Sequence, residues 1–175
     1  MAVLPIYTAP HPVLERRSRD VEPDEFGPEL ARLISDMAET MYAAPGVGLA
    51  APQVGDGRRI IVVDPGEKAE RGRRFFGMVN PVIAERSRET IPWGETCLSV
   101  PDFEVEIQRA KRIRVTWKDA AGAAQESWFE DYESVIVQHE LDHLEGTLLL
   151  DRASLFKRSR YLKKVKSKAR ERVLA

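Results

Sequence analysis

The chain is poor in the residues that build metal and disulfide chemistry: it has one cysteine, Cys97, and three histidines. A lone cysteine cannot close an internal disulfide, which excludes a disulfide-stapled scaffold and leaves this thiol as buried filler, nucleophile or metal ligand. No apolar run approaches the roughly 20 residues needed to cross a bilayer, so no membrane partner is expected. The opening MAVLPIYTAPHPVL lacks a charged start followed by a long apolar stretch, and no transit-like leader precedes the first motif. The expectation is therefore a soluble protein of the bacterial cytoplasm. Repeats, collagen-like periods and low-complexity tracts are also missing, which excludes solenoids and long disordered linkers.

What is present suits a globular chain. Of 175 residues, 43% are hydrophobic and 31% charged, enough to bury about 70% of the unfolded surface and enclose a small pocket. One catalytic unit over residues 1–175 is expected. The net charge of -1 conceals an asymmetry. From Arg152 onward ten Lys and Arg stand against one acid, Glu171, whereas residues 1–151 carry 17 against 27.

Leu30, Leu33, Ile34, Met37 and Met41 recur at helical spacing before Pro45 and Gly46, predicting an amphipathic helix over 27–43. Strand patterns follow at 58–64, 74–80, 103–109 and 112–118, the last two alternating cleanly. DAAG at 119–122 reads as a hairpin turn before QESWFE. WGETCLSVP, 93–101, reads as a loop between strands. A helix carries VIVQHELDHLEG at 135–146, and a final basic helix is predicted over about 153–173. Strands cluster mid-chain without βαβ alternation, so the fold class is α+β: antiparallel or mixed sheets around the helix at 135–146, with a long C-terminal helix.

Residues four apart stack on one helical face, so His139 and His143 can offer two imidazole nitrogens to one ion. Glu140, one position round, points beside such an ion and suits a base acting on its water. As plain residues, these would be polar positions on an ordinary helix; the full His-Glu-x-x-His pattern favours the metal. A catalytic metal usually takes three protein ligands and one water. The metzincin pattern would put a third histidine at 149, where Leu149 stands. The thermolysin pattern needs a downstream acid, and after Glu145 there are only Asp151 and Glu171. Upstream, Cys97 supplies a thiolate, a good ligand for zinc or ferrous iron. One and two turns before His139, Tyr132, Val135 and Ile136 share its face and can wall an apolar pocket, or simply be core.

Three segments stand in order along the chain: GVGLAAPQ at 46–53, ETCLS at 95–99 and QHELDH at 138–143. They resemble the signatures of the peptide deformylase family, Gly-x-Gly-x-Ala-Ala-x-Gln, Glu-Gly-Cys-Leu-Ser and Gln-His-Glu-x-Asp-His. The opening VLPIYTAPHPVL and the long last helix also look like the family. The second signature departs at Thr96, where the family usually has glycine.

The resemblance implies a metallohydrolase that removes the formyl group from the N-formylmethionine of nascent polypeptides, with a metal on Cys97, His139 and His143. It implies Fe(II), which Zn(II), Ni(II) or Co(II) can replace. Glu140 would be the general base and acid, and the side-chain amide of Gln53 and backbone amide of Leu98 would hold the developing oxyanion. Gly46 and Gly48, as the family uses them, let extended substrate lie on the backbone, although Pro-Gly-x-Gly after a helix is also a plain stop and turn. Val47 and Trp93 would flank the methionine pocket, and Glu95 and Arg109 would pair behind the ligands. The long tail helix is similar to that of family members that are usually monomers. Its cations either form a solvated helix packed on the body or dock on ribosomal RNA near the nascent chain. Besides a deformylase, the residues alone leave open a metallopeptidase with another third ligand and an idle metal-bearing relative.

Overall fold

Four consecutive apolar residues, Ile60–Val63 (β2), make sense only if both faces of the strand are covered. Both are covered in the computed structural model, which describes residues 2–66 and 69–174. β2 lies within a five-stranded sheet with Gly48–Ala50 (β1), Phe76–Arg86 (β3), Arg112–Lys118 (β6) and Ala124–Glu130 (β7), in the order β1-β2-β3-β6-β7. Every neighbouring pair in it is antiparallel. Between β3 and β6 the chain leaves to form a separate hairpin, Thr90–Cys97 (β4) with Val100–Ala110 (β5).

Alternation along β2 divides the core. Ile60 and Val62 join Leu30, Ile34, Met37 and Met41 of the first helix, Pro28–Ala43 (α1). Ile61 and Val63 face the other way, toward Ile136, Val137, Leu141 and Leu144 of Asp131–Leu144 (α2), with Ile113, Val115 and Phe129 from β6 and β7. α2 touches β1, β2, β5, β6 and β7, and nine of its fourteen residues are buried. A helix enclosed on several sides must satisfy its polar groups internally. Ser134 Oγ donates to the Ala110 carbonyl (2.8 Å), and so does Gln138 Nε2 (2.8 Å), which pins α2 to the end of β5.

A third apolar cluster holds the hairpin against the C-terminal elements Leu149–Arg152 (α3) and Leu155–Leu174 (α4). Leu148, Leu149 and Leu150 pack with Val100, Phe103, Val105 and Ile107. Tyr161 of α4 lies edge-on to Phe103 and donates its hydroxyl to the Pro101 carbonyl at 2.9 Å.

The structure corrects several sequence expectations. WGETCLSVP is not a loop: Cys97 ends β4, pairs with Val100, and only Leu98–Ser99 turn. Pro92 and Gly94, residues depleted in strands, hid that strand. The strand expected at 74–80 runs as β3 from Phe76 to Arg86, because Asn80–Pro81 is a bulge rather than a stop. Asn80 takes a left-handed backbone there (φ 52°), and its amide side chain exchanges two hydrogen bonds with Val21. The final helix forms as one element, α4, starting at Leu155 with Ser154 Oγ accepting from the Lys157 amide, and the short α3 that precedes it was not expected. Its packed stripe is Tyr161, Leu162 and Val165, while Leu155 and Val173 are exposed. The DAAG turn forms as expected, with Gly122 left-handed (φ 87°) and Asp119 Oδ1 accepting from the amides of Ala121 and Ala123.

Phe129 fills the space between β7 and α2, edge-on to Phe76 at 5.3 Å. Phe129→Ala should lower the unfolding free energy by about 3–5 kcal/mol in urea titrations.

Candidate metal centre

α2 and the β4–β5 hairpin meet where Cys97 ends β4. The ligand atoms of Cys97, His139 and His143 all lie within 4.8 Å of one another. Cys97 Sγ is 3.3 Å from His143 Nε2, and the two imidazole centroids are 5.1 Å apart. Their i, i+4 spacing on α2 makes the rings neighbours, and the strand end delivers the thiol from 42 or more positions upstream in the chain.

Each donor is oriented by what lies behind it. His139 Nδ1 is 2.8 Å from Glu95 Oε1, which turns Nε2 toward Cys97. Glu95 sits two residues before Cys97 on β4 and is gripped by a fork from Arg109 of β5, at 2.7 and 2.9 Å. Arg109 Nη1 then donates to Asp142 Oδ2 on α2 at 2.8 Å. Glu95 and Arg109 are each 4% exposed, so the pair is a buried, fully matched one. Burial alone would raise the Glu95 carboxyl, but its bonds to Arg109 and His139 outweigh this and hold it below the ordinary value. Burial likewise opposes charge on His139, yet the contacts with Cys97 and Glu95 hold its pKa well above the usual range. For His143 burial dominates, aided by His139 and Arg109, and holds the ring neutral. One thiol and two imidazoles in a dry, pre-oriented cluster fit a divalent transition metal.

Glu140 lies beside this cluster on α2. Burial pushes its carboxyl up to about 7, and Oε2 has no partner among the described residues. Its room is made by Gly48 of β1: a Cβ built there would collide with Oε1, Cδ and Cγ of the glutamate. Gln53, in a short 3₁₀ turn at Ala51–Val54, accepts from the Ala50 amide through Oε1 (2.9 Å) and donates Nε2 to Ser99 Oγ (3.0 Å). That leaves Nε2 3.7 Å from Cys97 Sγ.

A cleft of about 370 Å³ opens over these groups. Every sequence-predicted pocket residue lines it: Gly46, Val47, Gly48, Trp93, Tyr132, Val135 and Ile136, together with Leu98 from the hairpin turn. Several serve both as core and as wall, since Ile136 is also part of the cluster between α2 and the sheet, with Val47 packed against it. At the rim Trp93 and Tyr132 stack at 5.1 Å, 39% and 37% exposed. Thr96 also lines the cleft, in a bulge of β4. Its backbone lies outside the left-handed region, the non-glycine residues found there being Asn80, Asp102 and Asp131, so glycine is not needed for its conformation.

The other third-ligand options lie elsewhere. Leu149 is buried in the hairpin core, Asp151 Oδ2 accepts from the Leu148 amide at 2.8 Å, and Glu171 is exposed on α4. Residues overlooked in the sequence are Ser99, which holds Gln53, and Asp142 and Arg152, which continue the ion pairs behind His139. Asp142 was visible within QHELDH without a role. Ser99 likewise stood within ETCLS without a role, and Arg152 acts through a pairing ten positions away that no local pattern marks.

Comparison with known proteins decides the kind of metal site. The polypeptide deformylase family profile matches residues 3–159. The chain belongs to the polypeptide deformylase family. A peptide deformylase from Phenylobacterium zucineum is 43% identical, over 97% of this chain and 99% of its own length. Among solved structures, the deformylase of Ehrlichia chaffeensis in complex with actinonin has a TM-score of 0.88 and 38% identity, covering 96% of this chain and 98% of the other. A Met-Ala-Ser-bound deformylase from Acinetobacter baumannii has a TM-score of 0.80 and 34% identity, covering 87% and 99%. Deformylases are metal-dependent hydrolases that remove formyl groups from nascent formylated polypeptides, and the Cys97–His139–His143 cluster is the metal-binding group of this one.

Gly48→Ala should leave the fold intact but displace the Glu140 carboxylate, lowering deformylation about a hundredfold in a formate-release assay, the cost typical of a 1 Å misplacement.

Proposed function

We propose that residues 1–175 form one catalytic domain, acting as a monomer in the bacterial cytoplasm with a single Fe(II) on Cys97, His139 and His143. Its substrate is the N-formylmethionine that begins a nascent chain. The observation carrying this reading is the convergence of a strand-end thiol and two helix imidazoles beside a buried glutamate whose Oε2 has no partner among the described residues, at the floor of an apolar-walled cleft.

A divalent ion bound there supplies Lewis acidity, drawing the pKa of water from near 16 toward about 7. The side chains do the rest. Glu140 accepts the water's proton at Oε2 as oxygen adds to the formyl carbon. The carbonyl oxygen, gaining charge, takes hydrogen bonds from Gln53 Nε2 and the Leu98 amide. Glu140 then passes the proton to the methionine nitrogen as the C–N bond breaks, leaving formic acid, which loses its proton to become formate, and a free amine that takes up a proton at neutral pH. A cation beside it would pull the Glu140 pKa back below its metal-free value, favouring the base form at the start of this cycle.

The methionine side chain enters between Val47, Val135 and Ile136, with Trp93 and Tyr132 at the rim. Gly46 and Gly48 expose backbone on the edge strand β1, where an extended peptide can pair. The tripeptide Met-Ala-Ser in the Acinetobacter relative is the product such a cleft would release from formyl-Met-Ala-Ser. Iron is favoured by the family resemblance, and the ligand types also accept zinc, nickel or cobalt.

Anaerobic ferrous enzyme should release formate from formyl-Met-Ala-Ser, and Glu140→Ala should abolish it with the metal retained. Cleavage at an internal peptide bond instead would overturn the reading. Gln53→Ala should cost about 3–4 kcal/mol of transition-state stabilisation, seen mainly in kcat.

The basic face of α4 supports docking on ribosomal RNA. Removing α4 would strip Tyr161 and its neighbours from the hairpin core, so the cleaner test reverses exposed charges. A variant with Lys163, Lys166 and Arg170 changed to Glu should lose salt-sensitive ribosome co-sedimentation while deforming no part of the cleft. Equal co-sedimentation of parent and variant would reject the docking.

A further inference from the structure

Behind His139 the ion pairs do not stop at Arg109. Asp142 Oδ2 accepts from Arg109 Nη1 at 2.8 Å and also from Arg152 Nε at 2.8 Å, while Asp142 Oδ1 accepts from Arg152 Nη2 at 2.6 Å. The result is an unbroken sequence of side chains, His139–Glu95–Arg109–Asp142–Arg152, each hydrogen-bonded to the next. It runs from His139, 12% exposed, through Glu95 and Arg109 at 4% and Asp142 at 20%, and ends at Arg152, 40% exposed.

We propose that Arg152 is a positioning residue for the metal centre, acting through Asp142, Arg109 and Glu95 on the ring of His139. The inference rests on the reading of Cys97, His139 and His143 as the metal ligands. An exposed Arg–carboxylate pair normally contributes little. This one differs in two respects. Its geometry is a two-pronged fork, which fixes the plane of the Asp142 carboxylate. And the oxygen it shares, Oδ2, is the same atom that holds the buried Arg109. Without Arg152, Asp142 has one cation and an open path to solvent, so it can rotate away from Arg109. Arg109 then keeps only Glu95, and the Glu95 carboxylate loses the lateral support that aims it at His139 Nδ1.

The placement of Arg152 is also well determined. It ends α3 two residues after Leu150, which with Leu149 is buried in the hairpin core, and stands three residues before α4 begins. The hairpin that delivers Cys97 and the short helix that delivers Arg152 are therefore packed on each other. A support for His139 and the foot of the basic tail are one structural unit.

Zinc-loaded enzyme mixed with excess chromogenic chelator reports zinc release directly, without reference to activity. Outer-shell partners of metal ligands typically change metal affinity 10–100-fold; for a residue further out, Arg152→Ala should speed release about three- to tenfold. Asp142→Asn, nearly isosteric, should speed it more, and adding Arg152→Ala to Asp142→Asn should change nothing further, because both act along one path. Arg158→Ala is the control: Arg158 is equally exposed and pairs with Asp151 at 3.4 Å, away from the ligands, and its release should match the parent. Release from Arg152→Ala indistinguishable from Arg158→Ala, or additive effects in the double variant, would overturn the proposal. A parent chain that holds no zinc would overturn the metal-site reading and this inference together.

Discussion

The structure depends on a single tertiary meeting: the end of strand β4 must arrive against helix α2 so that one thiol stands among two imidazoles. Metal coordination tolerates errors of only a few tenths of an ångström, so this contact demands stiffness on both sides. The stiffness on the helix side comes from enclosure. α2 is covered by strands from both sheets, and Gln138 and Ser134 tie it to Ala110 at the end of β5. On the strand side it comes from the tight Leu98–Ser99 turn and from Glu95, two residues upstream, whose carboxylate reaches across to His139. β4 thus carries both a ligand and the group that orients another ligand. Their separation of two residues keeps both side chains on the inner face of one strand, with the bulge at Thr96 adjusting the fit.

The state of Glu140 follows from the same packing. Because α2 is buried, so is Glu140, and burial raises its pKa toward neutrality, as the proposed role of proton shuttle requires. That burial costs space, and the space comes from the missing side chain of Gly48 on β1. Gly48 in the Gly-x-Gly run after α1 therefore has a packing reason of its own, independent of any peptide lying on it. Gln53 has a similar double constraint, held at its oxygen by the Ala50 amide and at its nitrogen by Ser99.

Local information was legible in the residues and long-range information was not. The i, i+4 histidines, the α1 stripe and the DAAG turn each depend on neighbours within a few positions, and each forms where its pattern stands. Cys97 became a ligand only by resemblance and by the failure of Leu149, Asp151 and Glu171 to serve, because nothing in a single strand-end cysteine states what it will meet. β4 itself was masked by Pro92 and Gly94, tolerated there because the two-stranded hairpin leaves one edge unpaired. The β3 bulge at Asn80 was masked by an Asn-Pro pair that ordinarily ends a strand. Asp142 and Arg152 pair across ten positions and Gln53 and Ser99 across 46; such contacts exist only once the fold has closed.

X-ray absorption at the metal edge of the loaded enzyme bears most directly on that meeting of strand and helix. The structure predicts a shell of one sulfur at about 2.3 Å and two imidazole nitrogens at about 2.0–2.1 Å, the distances usual for zinc, with the sulfur lost in Cys97→Ser. A shell of nitrogen and oxygen alone in the parent enzyme would contradict it.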